Sequence, residues 1–121
     1  MDMKQLAAWV DEQGGVGRVE LRQLRDAVDA DKLGKLVMQR IARELSAHGL
    51  GYFPREVLDD NDQPRQHQSV RLYRKGTGQT ARAIEAVLEP SDVGDAFLND
   101  LNTDNAREML SRIRELVGTT D

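Results

Sequence analysis

The sequence predicts a mainly α-helical fold with one small β-hairpin, followed by further helices. Two observations support this prediction. Apolar residues recur at helical spacing in several segments, most clearly where Leu33, Val37, Ile41 and Leu45 follow one another every four residues. Two shorter segments, residues 50–54 and 69–75, contain residues that favour strands, and a long polar stretch joins them.

Three helices are expected before the hairpin. Apolar residues at i, i+3, i+4 and i+7 indicate a helix over residues 2–12, and the glycines that follow it end it. A second, short helix covers residues 20–28, and a third runs from about residue 32 to 47. Asp31 is the expected N-cap of the third helix, because a carboxylate accepts hydrogen bonds from free backbone N–H groups. Gly49 provides the left-handed residue at its end.

The segment after the hairpin is predicted to be helical as well. Glycines break the chain after residue 75, and a fourth helix follows that Pro90 closes. Ser91 is the expected cap of the next short helix. A last helix is indicated by the apolar spacing between Met109 and Val117. The division that this order favours is a domain over residues 1–78 and a helical extension over residues 79–121.

Composition narrows the class of protein. A length of 121 residues suits one compact domain, with room for a terminal appendage. Without cysteine there is no disulfide framework and no thiol nucleophile, which favours an intracellular protein. The first residues are too polar for a signal peptide or a membrane span, so we expect a cytoplasmic protein that does not contact membranes.

Charge is distributed unevenly along the chain, whose formal net charge is −4. Residues 14–82 contain thirteen Lys and Arg against nine Asp and Glu, a balance of +4, whereas residues 83–121 contain three against nine, a balance of −6. A basic segment is typical of a module that binds a polyanion, although a balance of this size also occurs on ordinary solvated surface.

The order of these elements resembles a winged helix-turn-helix domain. The resemblance covers residues 3–75. It rests on VELRQLRDAV for the first helix of the motif, on DADKLGKLVMQRIARELSAHGL for the turn and recognition helix, and on GYFP with SVRLYRK for the wing. One departure is the long connection over residues 55–68, whose acidic run Asp59, Asp60 and Asp62 would repel phosphate at a wing tip. Either its basic RQHQ part alone approaches nucleic acid, or the whole loop binds a partner or is mobile.

The resemblance implies a sequence-specific protein that binds double-stranded DNA, such as a transcriptional regulator or a site-recognition factor. The third helix would enter the major groove, with Lys35, Gln39 and Arg43 as base readers and Lys32 at a phosphate. Arg40 lies closer to the apolar stripe, where it could instead pair with Glu44. The residues implied for the wing are Arg55, Arg65, His67, Arg71, Arg74 and Lys75.

Features typical of enzymes are weak in this sequence. His48 and His67 lack the spacing of a metal site, and the acidic run lacks the glycine and the final acid of a calcium loop. The glycine-rich segments GGVG and GTGQT lack the phosphate-loop pattern, so turns explain them better. We therefore expect no enzymatic activity, no metal, no cofactor and no small-molecule ligand.

Two further hypotheses follow, one from the net acidity of the chain and its acidic loop, the other from the apolar residues of its acidic last forty positions. The first is an alternative function, in which the winged domain scaffolds a larger complex without contacting DNA. The second is a homodimer formed through the C-terminal helices, although these helices could equally fold back on their own domain. The apolar residues expected at the dimer interface are Phe97, Leu98, Leu101, Met109, Leu110, Ile113, Leu116 and Val117.

Overall fold

The computed structural model describes residues 1–76, 78–101 and 110–115. Residues 110–115 are helical. The other elements, in chain order, are α1 (Met3–Glu12), β1 (Val16–Glu20), α2 (Leu21–Ala27), α3 (Lys35–Ala47), β2 (Leu50–Phe53), α4 (Glu56–Asp59), β3 (Ser69–Arg74), α5 (Gln79–Leu88) and α6 (Asp92–Asn99).

The chain divides into two compact units, residues 1–74 and residues 75–121. The boundary predicted from the sequence lies after residue 78, within the connection between β3 and α5. The first unit is a small helix-rich domain with one antiparallel sheet, an arrangement compatible with a winged helix.

The sheet of the first unit has three strands in the order β1-β3-β2. Val19 of β1 lies opposite Val70, and Phe53 of β2 lies opposite Arg71. Expecting only a two-stranded hairpin was wrong, because residues 16–20 form a third strand. Gly17 suggested a turn, but in the structure it makes room within the strand: a Cβ atom there would lie 2.6 Å from the ring of Trp9.

The core of the first unit lies between its helices and one face of the sheet. Because strand residues alternate between faces, Val19, Val70 and Leu72 point to the same side, where they join a cluster of buried helical residues. Ile41 and Leu45, two members of the stripe predicted on the third helix, are fully buried in that cluster. The predicted amphipathic character of this helix is therefore confirmed.

Helix α3 begins later than the sequence indicated. Its N-cap is Gly34, whose backbone is extended, so Asp31 does not cap it and Lys32 precedes it. The physical reason lies in the end of α2: the chain turns at Asp29, which has a left-handed φ of 55°, and the following residues make the connection to α3. The cap predicted at Ser91 is confirmed, because its hydroxyl oxygen accepts a hydrogen bond of 2.9 Å from the backbone N–H of Gly94.

In the second unit, α5 and α6 pack closely against each other. A Cβ atom on Gly94 would lie 3.2 Å from the Cβ of Ala86, which shows how near the two helices approach. The guanidinium of Arg82 lies 4.3 Å from the centre of the Phe97 ring, a cation–π contact between the helices.

Arg74, the last residue of β3, connects three parts of the first unit. Its Nε and Nη2 atoms donate to the two carboxylate oxygens of Asp11 at 2.9 and 3.0 Å. Its Nη1 donates to the carbonyl of His48 at 2.8 Å, and its Nη2 to the carbonyl of Ala7 at 3.3 Å. The hydrogen bond from Arg74 holds the pKa of the Asp11 carboxyl below its usual value of 3.8. The strand is thus joined to α1 and to the turn after α3.

We expect Gly51→Ala to lower the free energy of unfolding by about 1–3 kcal/mol. A Cβ atom at this position of β2 would overlap the ring of Tyr73, which is buried. Gly34→Ser is the matched control and should not lower stability, because a Cβ there meets no atom within 4 Å and a serine can cap α3. Urea unfolding of both variants tests this, and equal stability of Gly51→Ala and the wild type would show that the ring moves aside freely.

The Asp11–Arg74 pair should make stability depend on pH. Because the folded-state pKa of Asp11 is lowered, its contribution is present above the unfolded pKa and is lost as the pH falls through the folded pKa. Asp11→Asn should therefore be less stable than the wild type at about pH 7, and the difference should shrink towards about pH 3. Urea unfolding across this range measures it. A difference that does not change with pH would contradict the ion pair.

Candidate nucleic-acid interface

The exposed face of α3 carries the residues predicted to read DNA. Lys35, Gln39, Arg40 and Arg43 are all exposed, whereas Met38, Ile41 and Leu45 are buried. Both groups follow from the helical repeat, since residues three or four apart share a face. The structure thus brings four predicted site residues together on one helix.

The cations of this face are not neutralised by neighbouring acids. Among the described residues, no ion pair or side-chain hydrogen bond involves Lys35, Arg40 or Arg43. The expected pairing of Arg40 with Glu44 is not formed. Glu44 instead lies 4.0 Å from Nδ1 of His48, and the same Nδ1 lies 2.9 Å from the Glu44 carbonyl oxygen. The guanidinium groups on this helix are therefore available to an anionic partner.

Beside the first turns of α3 lies an acidic groove. It has a volume of about 360 Å³, and its apolar lining includes Leu33, Met38 and Leu58. The polar residues that line it are Lys35, Gln39, Asp59, Asp60, Asn61 and Asp62. The three carboxylates make this end of α3 unfavourable for a phosphate backbone. The basic surface of α3 is therefore best developed around Arg40 and Arg43.

The acidic groove is held in place by β2. The hydroxyl of Tyr52 donates a hydrogen bond to the Asp59 carboxylate at the end of α4. Burial raises the pKa of Tyr52 above its usual value, and the Asp59 carboxylate raises it further. The phenol therefore keeps its proton, and with it the hydrogen bond, well into the alkaline range.

The basic part of the connection between β2 and β3 is fastened to α2. Backbone N–H groups of Leu21 and Arg22 donate to the carbonyls of Gln68 and Gln66 at 2.8 and 3.0 Å. This contact holds Arg65 and His67, both exposed, near the start of α2. The basic part of this loop is therefore fixed to α2 by its backbone. Whether Arg65 and His67 contact DNA stays a prediction.

The other predicted wing residues lie in different surroundings. Arg74 is engaged with Asp11 and main-chain carbonyls, so we leave it out of the proposed interface. Arg71 lies on the sheet face opposite to Val19 and Val70, in one row with Arg18 and the buried Phe53. Arg55 is half-buried directly after β2, and Lys75 is exposed directly after β3. Lys32 is exposed in a bend before α3 rather than at the helix start.

Two exposed residues of the first unit were not singled out from the sequence. Leu36 is 78% exposed on α3, next to the cations. Its position could have been found from the helical repeat, which places it away from the apolar stripe. Arg18, which lies opposite Arg71, was missed together with strand β1. No local signal marks it, because its strand pairs with a distant segment.

The predicted dimer residues have varied surroundings. Leu101 and Ile113 are buried within the single chain, whereas Phe97, Leu98 and Leu110 are half-buried. Met109, Leu116 and Val117 lie outside the described residues. Val93, which was not predicted, is 79% exposed on α6. The apolar surface of the described tail that is open to a second chain therefore centres on α6.

Comparisons with known proteins give no match. A scan against models of protein families finds none, and searches of the curated proteins and of the solved structures find none either. Within the described ranges, no helix is long and apolar enough to cross a membrane. In the same residues, no three His, Cys, Asp or Glu side chains are grouped so that they could hold a metal ion.

Proposed function

We propose that residues 1–74 form a winged helix-turn-helix domain that binds double-stranded DNA with sequence specificity. The order of helices and strands and the sheet order β1-β3-β2 are compatible with such a domain. In this arrangement α3 is the recognition helix, and the segment between β2 and β3 is the wing.

The observation that carries the proposal is the exposed face of α3. Gln39, Arg40 and Arg43 share it, and within the described structure neither arginine is engaged by a carboxylate. An α-helix fits the major groove, where arginine donates two hydrogen bonds to guanine and glutamine pairs with adenine. Free guanidinium groups on a helix are suited to this contact because no internal ion pair has to be broken first.

The acidic groove restricts how the helix can approach DNA. Asp59, Asp60 and Asp62 would repel the backbone at the start of α3, next to Lys35. The helix would therefore face the bases through its middle and last turns, where Arg40 and Arg43 lie. Lys35 would then contribute less than the sequence alone implies.

We expect Arg43→Ala and Gln39→Ala each to weaken binding to the preferred duplex by about 1–3 kcal/mol and to relax the choice of base at one position. Arg22→Ala is the matched control, because Arg22 is an exposed arginine on α2 that pairs with Glu20 at 3.0 Å. Fluorescence polarisation with duplexes selected from genomic fragments, at several salt concentrations, measures both effects. Uniform weakening on all sequences would show that α3 is not the reader, and no salt-sensitive binding at micromolar protein would overturn the proposal.

A second candidate function is a protein-interaction module. It is favoured by the acidic groove, where the apolar side chains of Met38 and Leu58 lie beside three carboxylates. An apolar residue flanked by carboxylates suits a basic amphipathic partner. Lys35→Glu with Arg43→Glu separates the two functions, because it should abolish DNA binding, whereas it should not weaken capture of a basic partner by the groove that Lys35 lines.

We also propose that α6 mediates a homodimer. Val93 and Phe97 are one helical turn apart, and an isologous contact would cover Val93 in both copies. Light scattering at tens of micromolar should give the mass of a dimer, and Val93→Lys should give a monomer. Gln79→Lys, an exposed change on α5, is the control and should remain dimeric. A monomeric wild type would rule this interface out.

A further inference from the structure

The sheet face opposite to Val19, Val70 and Leu72, called the outer sheet face below, carries two arginines side by side. Arg18 of β1 and Arg71 of β3 are directly opposite each other in the antiparallel register. Their neighbours along the strands, Val19 and Val70, form the next pair and point to the core instead. Directly opposite side chains in such a pair have Cβ atoms about 4.5–5.5 Å apart. The two guanidinium groups are therefore neighbours.

This pairing costs stability unless something neutralises it, because like charges directly opposite each other repel. In the part of the chain that the structure describes, neither Arg18 nor Arg71 takes part in an ion pair or a side-chain hydrogen bond. Arg74, three residues beyond Arg71, shows the contrast, since Asp11 occupies its guanidinium. The charges of Arg18 and Arg71 are thus left without a counter-ion inside the described fold.

The surroundings of the pair strengthen the repulsion. Arg71 is half-buried, and its register partner on the other side is Phe53, which is buried and packs against Tyr73 with ring centroids 6.0 Å apart. Burial lowers the pKa of Arg71, and the neighbouring charge of Arg18 lowers it further. An anion held here would be attracted by two charges beside an apolar surface, where water screens the attraction less than in bulk.

We propose that Arg18 and Arg71 form a binding site for a phosphate group. Two guanidinium groups offer planar pairs of N–H donors, which match the oxygens of a tetrahedral oxyanion. Their two positive charges also match a phosphate dianion better than a single carboxylate. Arg18 is exposed, so the phosphate enters from solvent over β1, while Arg71 holds it from the inner side.

The site does not depend on the proposed function, because it uses the outer sheet face. The phosphate has two possible sources, free phosphate in solution and the backbone of a nucleic acid. Both present the same oxygens to the two arginines, so separate arms of one experiment distinguish them.

The first arm uses inorganic phosphate and the full chain. Thermal unfolding in sodium phosphate, compared with sodium chloride at equal ionic strength, should show a higher Tm in phosphate that grows with its concentration. Arg18→Gln and Arg71→Gln should each lower the affinity for phosphate at least about tenfold, and Arg22→Gln should leave it unchanged. In chloride, Arg18→Gln should be at least as stable as the wild type, because the repulsion is removed.

Three results of this arm would overturn the site. The first is that the wild type has the same Tm in both salts. The second is that phosphate raises the Tm of Arg18→Gln and Arg71→Gln as much as that of the wild type. The third is that Arg18→Gln is clearly less stable than the wild type in chloride. A poorly folded Arg71→Gln does not decide the question, since the exposed Arg18 gives the same test independently.

The second arm identifies the source of the phosphate. If the site takes backbone phosphate, Arg18→Gln should weaken binding to all duplexes equally and reduce the salt dependence by about one charge. If it takes free phosphate, duplex binding should stay unchanged while phosphate binding is lost. Should the chain bind no DNA at all, the proposed function fails and the first arm still tests the site.

Discussion

The first unit depends on one strand that is paired on both edges. β3 bonds to β1 on one side and to β2 on the other, and its core-facing residues Val70 and Leu72 lie beneath the helices. Its last residue, Arg74, then fixes the end of α1 and the turn that follows α3. The C-terminal end of α3 is therefore tied to β3 through Arg74, while the buried stripe of the helix packs in the core.

This scaffold separates charges that are mixed along the sequence. α3 presents Arg40 and Arg43 without acidic partners among the described residues, while three aspartates line the groove at its start. The outer sheet face carries Arg18 and Arg71. A formal net charge of −4 therefore says little about partners, because surfaces of either sign lie close together on one small domain.

Periodicity allowed the longer helices and two of the strands to be predicted, since each spans enough residues to show its own repeat. The four-residue helix α4 was missed, because it lies in the connection that the sequence indicated as a loop. The stripe through Ile41 and Leu45 is an example, and both are fully buried. Strand β1 could not be predicted, because Gly17 and two charged residues mask its alternation and its pairing partner is distant. The role of Arg74 could not be predicted either, because its ion-pair partner Asp11 lies 63 positions away. Its neighbours in the sequence had assigned it to the wing. Of the predicted site, the α3 cations are grouped on one exposed face, whereas the wing residues are dispersed.

The distance between Asp11 and Arg74 also bears on how the chain folds. Contacts between residues far apart in sequence close large loops, which makes folding slower than in a helical bundle of equal size. During synthesis β1 and β2 emerge before the strand that joins them, so their hydrogen-bonding edges stay open until residue 74 has left the ribosome. Open strand edges pair with other chains. Fragments that end before Ser69 lack β3 entirely and are therefore expected to aggregate.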